Sequence, residues 1–308
     1  MRAVGTTEFG APEVLKVVDV PLPEPGDGEV RIRTQAATIN NFDLVARSGG
    51  LGPMLPAGPL YVFGWDIAGI VDKVGPGVTG FVRGDVVVGM SDWLRTKVGT
   101  QAEFAVLAAS ALAPAPDGVT PASAASLPVN ALTAARALNL MGLHKGQAMA
   151  VTGAAGAVGG FALELGRHRG LDVIGIGSAK DREFIVERGA RFIERSDHPV
   201  KALAALEPGG VDGLLDAATI GPAMLEAVRD GGAFASLTPP KTPRPERDIQ
   251  VHRIHTESDG LRLRELVSLV ERGVLTLRRT RTFPFEEAAT AHRLLAEGGV
   301  RGRLVLTP

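Results

Sequence analysis

The sequence predicts an α/β protein in two parts: a compact, β-barrel-like domain of short strands, and a parallel sheet covered by helices on both faces. Three observations carry this. β-Branched runs broken by Gly and Pro turns fill the first 118 or so residues. From about Pro121 to His255, helical and apolar strand segments alternate, which is the pattern of a parallel sheet. Finally, a chain of 308 residues exceeds what one hydrophobic core normally supports, so two domains are expected.

The first part contains the runs Val14-Leu15-Lys16-Val17-Val18, Glu29-Val30-Arg31-Ile32-Arg33, Ile67-Ala68-Gly69-Ile70-Val71 and Asp85-Val86-Val87-Val88. Turns such as Pro25-Gly26-Asp27-Gly28 and Gly75-Pro76-Gly77 separate them. The second part reads as helix 121–141, strand 148–152, helix 157–169, strand 171–176, helix 181–189, and apolar strands near 211–216 and 233–237. Pro239-Pro240-Lys241-Thr242-Pro243-Arg244-Pro245 is expected to be an exposed loop. A helix near 261–272, with an apolar face of Leu261, Leu263, Leu266, Val267, Leu269 and Val270, and an extended Arg303-Leu304-Val305-Leu306 follow. Internal repeats and low-complexity segments are absent from the sequence.

Lys and Arg number 33 against 34 Asp and Glu, and no block of like charge is long enough to suggest nucleic acid or an anionic membrane as partner. The chain has no cysteine, which removes disulfides, thiolate nucleophiles and Cys-ligated zinc, and leaves the redox compartment open. Met1-Arg2-Ala3-Val4-Gly5 has no apolar signal core and no segment approaches the length of a membrane span, so a cytoplasmic location is expected. His252 and His255 have a spacing that invites a metal, yet in an extended stretch positions i and i+3 face opposite sides. No metal site is expected.

Residues 148–161 hold the most specific local signal: an apolar strand runs into Gly153, Gly156 and Gly159 before a helix, and a second strand closes the unit. Such a turn lets the backbone approach a pyrophosphate, whose charge rests against amides at a helix N-terminus. Gly153, Ala155, Gly156, Ala157, Val158 and Gly159 are the expected dinucleotide contacts. An NAD-selective site places an acid about twenty residues past the first glycine. Here Gly177, Ser178, Ala179 and Lys180 stand there instead, and a hydroxyl with a cation suits a 2′-phosphate, so NADP is the expected cofactor. Asp181 fits better as a capping acid of the next helix.

The whole chain resembles the medium-chain dehydrogenase/reductase superfamily, specifically its zinc-independent, zeta-crystallin-like quinone oxidoreductase branch. The resemblance rests on Ala36-Ala37-Thr38-Ile39-Asn40-Asn41-Phe42-Asp43 with Arg47-Ser48-Gly49, on Gly64-Trp65-Asp66-Ile67-Ala68-Gly69-Ile70-Val71-Asp72-Lys73-Val74-Gly75, on Val82-Arg83-Gly84-Asp85-Val86-Val87, and on Ala125-Ser126-Leu127-Pro128 with Leu132-Thr133-Ala134. It implies a discontinuous GroES-like catalytic domain, residues 1–118 and 257–308, into which a doubly wound Rossmann domain, residues 119–256, is inserted. The cleft between them would hold nicotinamide and substrate. Zinc-dependent relatives carry a Cys where Asn40 stands, Gly-His-Glu where Gly64-Trp65-Asp66 stands, and a four-Cys lobe that is missing here.

The reaction implied is hydride transfer from NADPH to a quinone or an α,β-unsaturated carbonyl, with hydrogen bonds stabilising the developing enolate and water supplying the proton. By the same resemblance Asn40, Asp43 and Thr133 are the catalytic candidates: Asn40 beside the nicotinamide or acceptor oxygen, Thr133 on the nicotinamide side. Asn40, Thr133, Arg195 and Arg303 are further cofactor contacts, Arg195 falling near where relatives place a tyrosine over the 2′-phosphate. Asn40 as a turn cap, and Asp43 with Arg47 as an i, i+4 pair, are the competing structural readings.

Relatives often have a tyrosine where this chain has Val45, and its one tyrosine, Tyr61, precedes Gly64-Trp65-Asp66, where it is equally a packing residue. Acceptor selectivity is expected to depend on loops 45–62 and 239–256. The alternatives are an enoyl-thioester or alkenal reductase of the same fold, or a non-catalytic NADPH-binding protein. Residues 248–255 read as the last strand of the Rossmann sheet, and relatives dimerise through this edge, so a homodimer is expected.

Overall fold

The structure, a computed structural model, describes residues 1–55, 58–237 and 239–308. Residues 56 and 57, within the loop 45–62, lie outside the described residues. The chain forms two compact units. One comprises Met1–Val129, Glu257–Arg272 and Leu277–Pro308, and the other Asn130–Thr256 with Gly273–Thr276.

The first unit opens with β1 (Arg2–Thr6), β2 (Lys16–Asp19), β3 (Glu29–Thr38), α1 (Asn41–Arg47), β4 (Tyr61–Val62), β5 (Asp66–Val74), β6 (Val86–Met90), α2 (Trp93–Thr96), β7 (Phe104–Ala108), β8 (Leu112–Pro114) and α3 (Pro121–Ala124). The helix expected over 121–141 is interrupted: α4 spans Pro128–Met141, and Ala125–Leu127 separate it from α3. Pro128 is the cause, because it has no N–H to donate to the preceding turn and disfavours helical geometry at Leu127.

The second unit continues with β9 (Ala148–Thr152), α5 (Ala157–His168), β10 (Asp172–Gly177), α6 (Arg182–Glu187), β11 (Arg191–Glu194), α7 (Pro199–Leu206), β12 (Val211–Asp216), β13 (Val228–Ser236) and β14 (Gln250–Arg253). These strands form one parallel sheet in the order β11-β10-β9-β12-β13-β14. Numbered within the unit this is 3-2-1-4-5-6, the dinucleotide-binding order, with its topological switch between β9 and β12. Ile174, Ile176, Leu203, Leu214, Met224 and Phe234 belong to one buried cluster of this unit. β14 closes the sheet and is hydrogen-bonded within it only to β13. No helix is long and apolar enough to cross a membrane among the described residues.

The chain then returns to the first unit with α8 (Gly260–Glu271), β15 (Thr280–Pro284), α9 (Ala288–Glu297) and β16 (Arg303–Thr307). β15, β16, β3, β5, β6 and β8 lie side by side in that order, and β7 also pairs with β3, which makes a seven-stranded sheet. β2, β1 and β4 form a smaller one. Val30, Ile32, Ile67, Val71, Phe81 and Val87 are buried together in the core of this unit. His292 on α9 is fully buried and neither ring nitrogen has a partner; burial, with a smaller contribution from the Arg47 charge, lowers it to about 3.

Candidate functional site

In the second unit the sheet delivers a backbone cradle at the switch point. β9 is buried along its whole length and ends at Gly153, whose φ of 59° is a conformation that favours glycine. Gly156 N donates to Gly153 O at 2.8 Å and caps α5, with no side-chain cap hydrogen bond. The first-turn amides of α5 therefore start from a bare glycine turn, which is the arrangement that receives an anion. A Cβ on Gly159 would lie 2.3 Å from Gly153 O and 2.9 Å from Ala154 Cα, closer than any side chain tolerates. Ala155, Ala157 and Val158 fill the rest of this turn and the first helical positions.

A clip not anticipated from the sequence holds this cradle to the next strand. Thr152 Oγ1 donates to Asp216 Oδ1 at 2.7 Å and accepts from Ala218 N at 2.9 Å, while Asp216 also accepts from the amides of Ile220 and Gly221. The ends of β9 and β12 are thereby joined. An acid ending the apolar run 211–216 is the one sequence signal for it.

At the end of β10, Asp181 accepts from Ser178 N at 2.9 Å and also takes the Ser178 hydroxyl, closing a capping box ahead of α6. The Ser178 hydroxyl is thus engaged locally by Asp181. Lys180 and Arg195 are exposed at this end of the sheet. Arg195 follows β11 directly, and its amide donates to Gly177 O at 2.6 Å, which sets it next to Ser178. Thr133, on α4, shares a 2.7 Å hydrogen bond with Thr256, which follows β14.

The first unit contains a buried polar cluster drawn from three distant parts of the chain. Asp66, at the start of β5, is fully buried and accepts from Val129 N at 2.7 Å, from Asn40 Nδ2 at 3.0 Å and from the Thr38 hydroxyl. Arg303, opening β16, donates through Nη2 to Asn40 Oδ1 at 2.5 Å and to Thr38 Oγ1 at 3.0 Å, and lies 3.7 Å from Asp66. Burial pushes Asp66 up and Arg303 down, each toward its neutral form, and their mutual attraction opposes both shifts.

Asn40 therefore turns its amide inward. Its oxygen accepts from Arg303, and its NH₂ group is directed at Asp66 and, at 3.3 Å, at Thr38. These contacts engage both of its amide hydrogens. Asp43 is buried as well and accepts the amides of Asn40 at 2.7 Å and Gly64 at 3.1 Å, so it anchors the start of α1. Burial is the main cause that raises Asp43 to about 7, with the neighbouring Asp66 charge adding to it and the two amide bonds opposing it. Arg47 makes no ion pair with Asp43; it turns to the carbonyl of Gly10. Tyr61 packs its ring against Phe9 at 4.9 Å and accepts from Gly58 N at 3.1 Å.

Beside this cluster runs a row of aromatic rings. Phe42 meets Trp65 edge-on at 5.3 Å, Trp65 lies 6.2 Å from Trp93, and Trp93 lies 5.3 Å from Phe63. Trp93 Nε1 donates to Val62 O at 2.7 Å, whereas Trp65 Nε1 is buried without a partner.

These residues do not suit a metal ion. Trp65 offers an N–H and no lone pair, the amide oxygen of Asn40 faces a guanidinium, and Asp66 is committed to three donors and Arg303. Among the described residues no three His, Asp or Glu side chains gather as a ligand set.

Comparison with known proteins gives two family matches: residues 26–117 to the alcohol dehydrogenase GroES-like domain, and residues 189–306 to a family described as zinc-binding dehydrogenase. Rat quinone oxidoreductase is 36% identical over 198 residues, a match that takes in 63% of this chain and 58% of that protein's own length. A quinone oxidoreductase structure from Coxiella burnetii superposes with a TM-score of 0.90 at 28% identity, over 100% of this chain and 99% of that one. An NAD-dependent alcohol dehydrogenase superposes at 0.87 with 30% identity over the full length of both. A mycobacterial protein solved with NADPH reaches 0.86 at 28% identity, also over the full length of both.

Proposed function

Because the chain belongs to the medium-chain dehydrogenase/reductase superfamily, in its quinone oxidoreductase-like branch, we propose that it is an NADPH-dependent, zinc-independent reductase of quinones or other conjugated carbonyl compounds. The observation that carries the cofactor is the glycine cradle, where Gly153 turns the backbone and Gly159 leaves no room for a side chain. Lys180 and Arg195, two exposed cations near the end of β10, favour the 2′-phosphate, although Glu194 also stands beside Gly177 there. The donor set around Asn40, Trp65 and Asp66 supports chemistry without a Lewis acid.

NADPH, when bound, supplies the hydride; the protein's residues have four tasks. First-turn amides of α5 would hold the diphosphate. Thr133, hydrogen-bonded to Thr256, would hold the nicotinamide amide. Asn40 and Asp43 act as positioning residues, one fixing Arg303 and Asp66, the other fixing the start of α1. The aromatic row of Phe42, Trp65 and Trp93 favours a flat, apolar acceptor.

NADPH oxidation should follow addition of simple quinones or enones, persist after exhaustive chelation, and be slower with NADH. Tight NADPH binding with no oxidation by any acceptor in such a panel would move the protein to a non-catalytic role.

A further inference from the structure

Trp65 carries the one indole N–H of the chain that has no acceptor in the structure. The chain has two tryptophans, and the other, Trp93, is tied to Val62 O at 2.7 Å. Trp65 is 8% exposed, and its Nε1 is buried. Buried polar groups are almost always paired, and a catalytic role is one of the reasons a donor stays unpaired in a folded protein. Its neighbours in the chain are fully engaged: Gly64 N bonds to Asp43, and Asp66 bonds to Thr38, Asn40 and Val129. Asn40 has no hydrogen left to give. The ring packed edge-on against Trp65 is Phe42, which is 37% exposed on the short helix α1.

We infer that Trp65 is a catalytic residue whose Nε1–H donates a hydrogen bond to the carbonyl oxygen of the acceptor. The assignment rests on the reductase reading given above. With an enone, the C–H bond of the dihydronicotinamide breaks, its hydride forms a C–H bond at the β-carbon, and the displaced π pair moves to oxygen as an enolate. Water then protonates the α-carbon and leaves as hydroxide, which solvent neutralises, so that the products are NADP⁺ and the saturated ketone. The indole keeps its proton throughout, because Trp is a donor only; its role is to meet the charge that grows on oxygen. A flat acceptor carbonyl also suits the aromatic surroundings, where an exposed anion would not.

With two tryptophans, a protein labelled with ¹⁵N-tryptophan shows two indole N–H signals, and comparison with Trp65→Phe assigns them. Titration with 2-cyclohexenone, without NADPH, should move the Trp65 signal downfield while the Trp93 signal, held by Val62, stays in place. In turnover, Trp65→Phe should lower kcat about 10²-fold, as expected for one lost oxyanion donor, with NADPH affinity unchanged. A Trp65 signal that does not move at saturating 2-cyclohexenone overturns the assignment, as does an unchanged kcat in folded Trp65→Phe. Because the titration needs no turnover, it decides the role of Trp65 separately from the reductase reading, which falls if the wild type oxidises NADPH with no quinone or enone.

Discussion

Arg303 Nη2 sits 2.5 Å from Asn40 Oδ1, which places a cation against the one side chain expected to face the acceptor. Asp66, 3.7 Å from the same nitrogen, supplies the counter-charge. A buried ion pair of this kind adds little over an apolar replacement, but losing one partner leaves an uncompensated charge. Arg303→Ala should therefore destabilise the protein by about 3–5 kcal/mol in urea unfolding. Arg303→Ala combined with Asp66→Asn should recover part of that loss. Strict additivity of the two changes would show that the residues do not communicate.

Asn40→Ala removes an acceptor from Arg303 and a donor from Asp66 at once. A loss of about 1–3 kcal/mol in stability is expected, the range for buried groups left unpaired. Turnover should fall through misplacement of the cluster rather than through a lost contact to substrate, so Asn40→Asp, which keeps an acceptor for Arg303, should retain more activity than Asn40→Ala. Equal activity of the two variants would count against the positioning role.

Two buried groups set opposite pH dependences. Asp43 at about 7 holds a proton that the unfolded chain loses near pH 4, so its contribution to stability declines as pH rises across that window. His292 at about 3 stays neutral where the unfolded chain gains a proton near pH 6.5, so its contribution is lost as pH falls below that value. Between about pH 4 and 6.5 the two slopes, each at most about 1.4 kcal/mol per pH unit, oppose one another. Relative to wild type, Asp43→Asn should lose stability more steeply on acidification, and His292→Met less steeply. Parallel unfolding curves for all three proteins across this range would contradict the assignment.

Cofactor choice should lie with the two cations at the end of β10 and β11. Lys180→Ala and Arg195→Ala should each weaken NADPH while leaving NADH nearly unaffected, by about 0.5–1 kcal/mol because both side chains are exposed. Ser178→Ala should mainly loosen the cap of α6, since its hydroxyl already serves Asp181. Fluorescence titration with both cofactors tests this, and equal wild-type affinity for NADPH and NADH would end the argument.

The outer edge of β14 leaves one side of the six-stranded sheet open. Protected edges are the rule, so a two-fold homodimer joined along this strand is the expected assembly. Light scattering at micromolar concentration should return twice the chain mass, and a monomer mass would refute it.

How much of this was readable in the sequence depended on range. Strand 148–152 and the glycine turn after it could be read locally, because a positive φ at Gly153 and the contact at Gly159 restrict the residue type at single positions. The apolar face of α8 was legible from periodicity through Leu263, Leu266, Val267 and Leu269, but Leu261, counted on it, is 79% exposed. Arg191–Glu194, by contrast, is a four-residue strand with too short a pattern to register, and α9 carries a buried histidine within its apolar side. The polar cluster was less accessible still. Asn40 and Arg303 were each picked out, yet nothing in their local sequence states that they bond to each other, and Trp65 read as the loss of a metal ligand rather than as the presence of a free donor.

The first unit is assembled from stretches that lie on both sides of the second unit in the chain. During synthesis, Asp66 and Asp43 emerge from the ribosome long before the arginine that balances them, with an entire sheet domain translated in between. Until β16 arrives to take its place beside β3, the nascent β3–β5 pair must keep two carboxylates in water and cannot close its polar interior. The second unit, nearly continuous in sequence, has no such wait. Maturation of the Asn40 region is thus tied to β16, which follows the second unit in the chain, and a ribosome-stalled chain that stops before Arg303 should present a folded nucleotide-binding sheet alongside an unfinished partner.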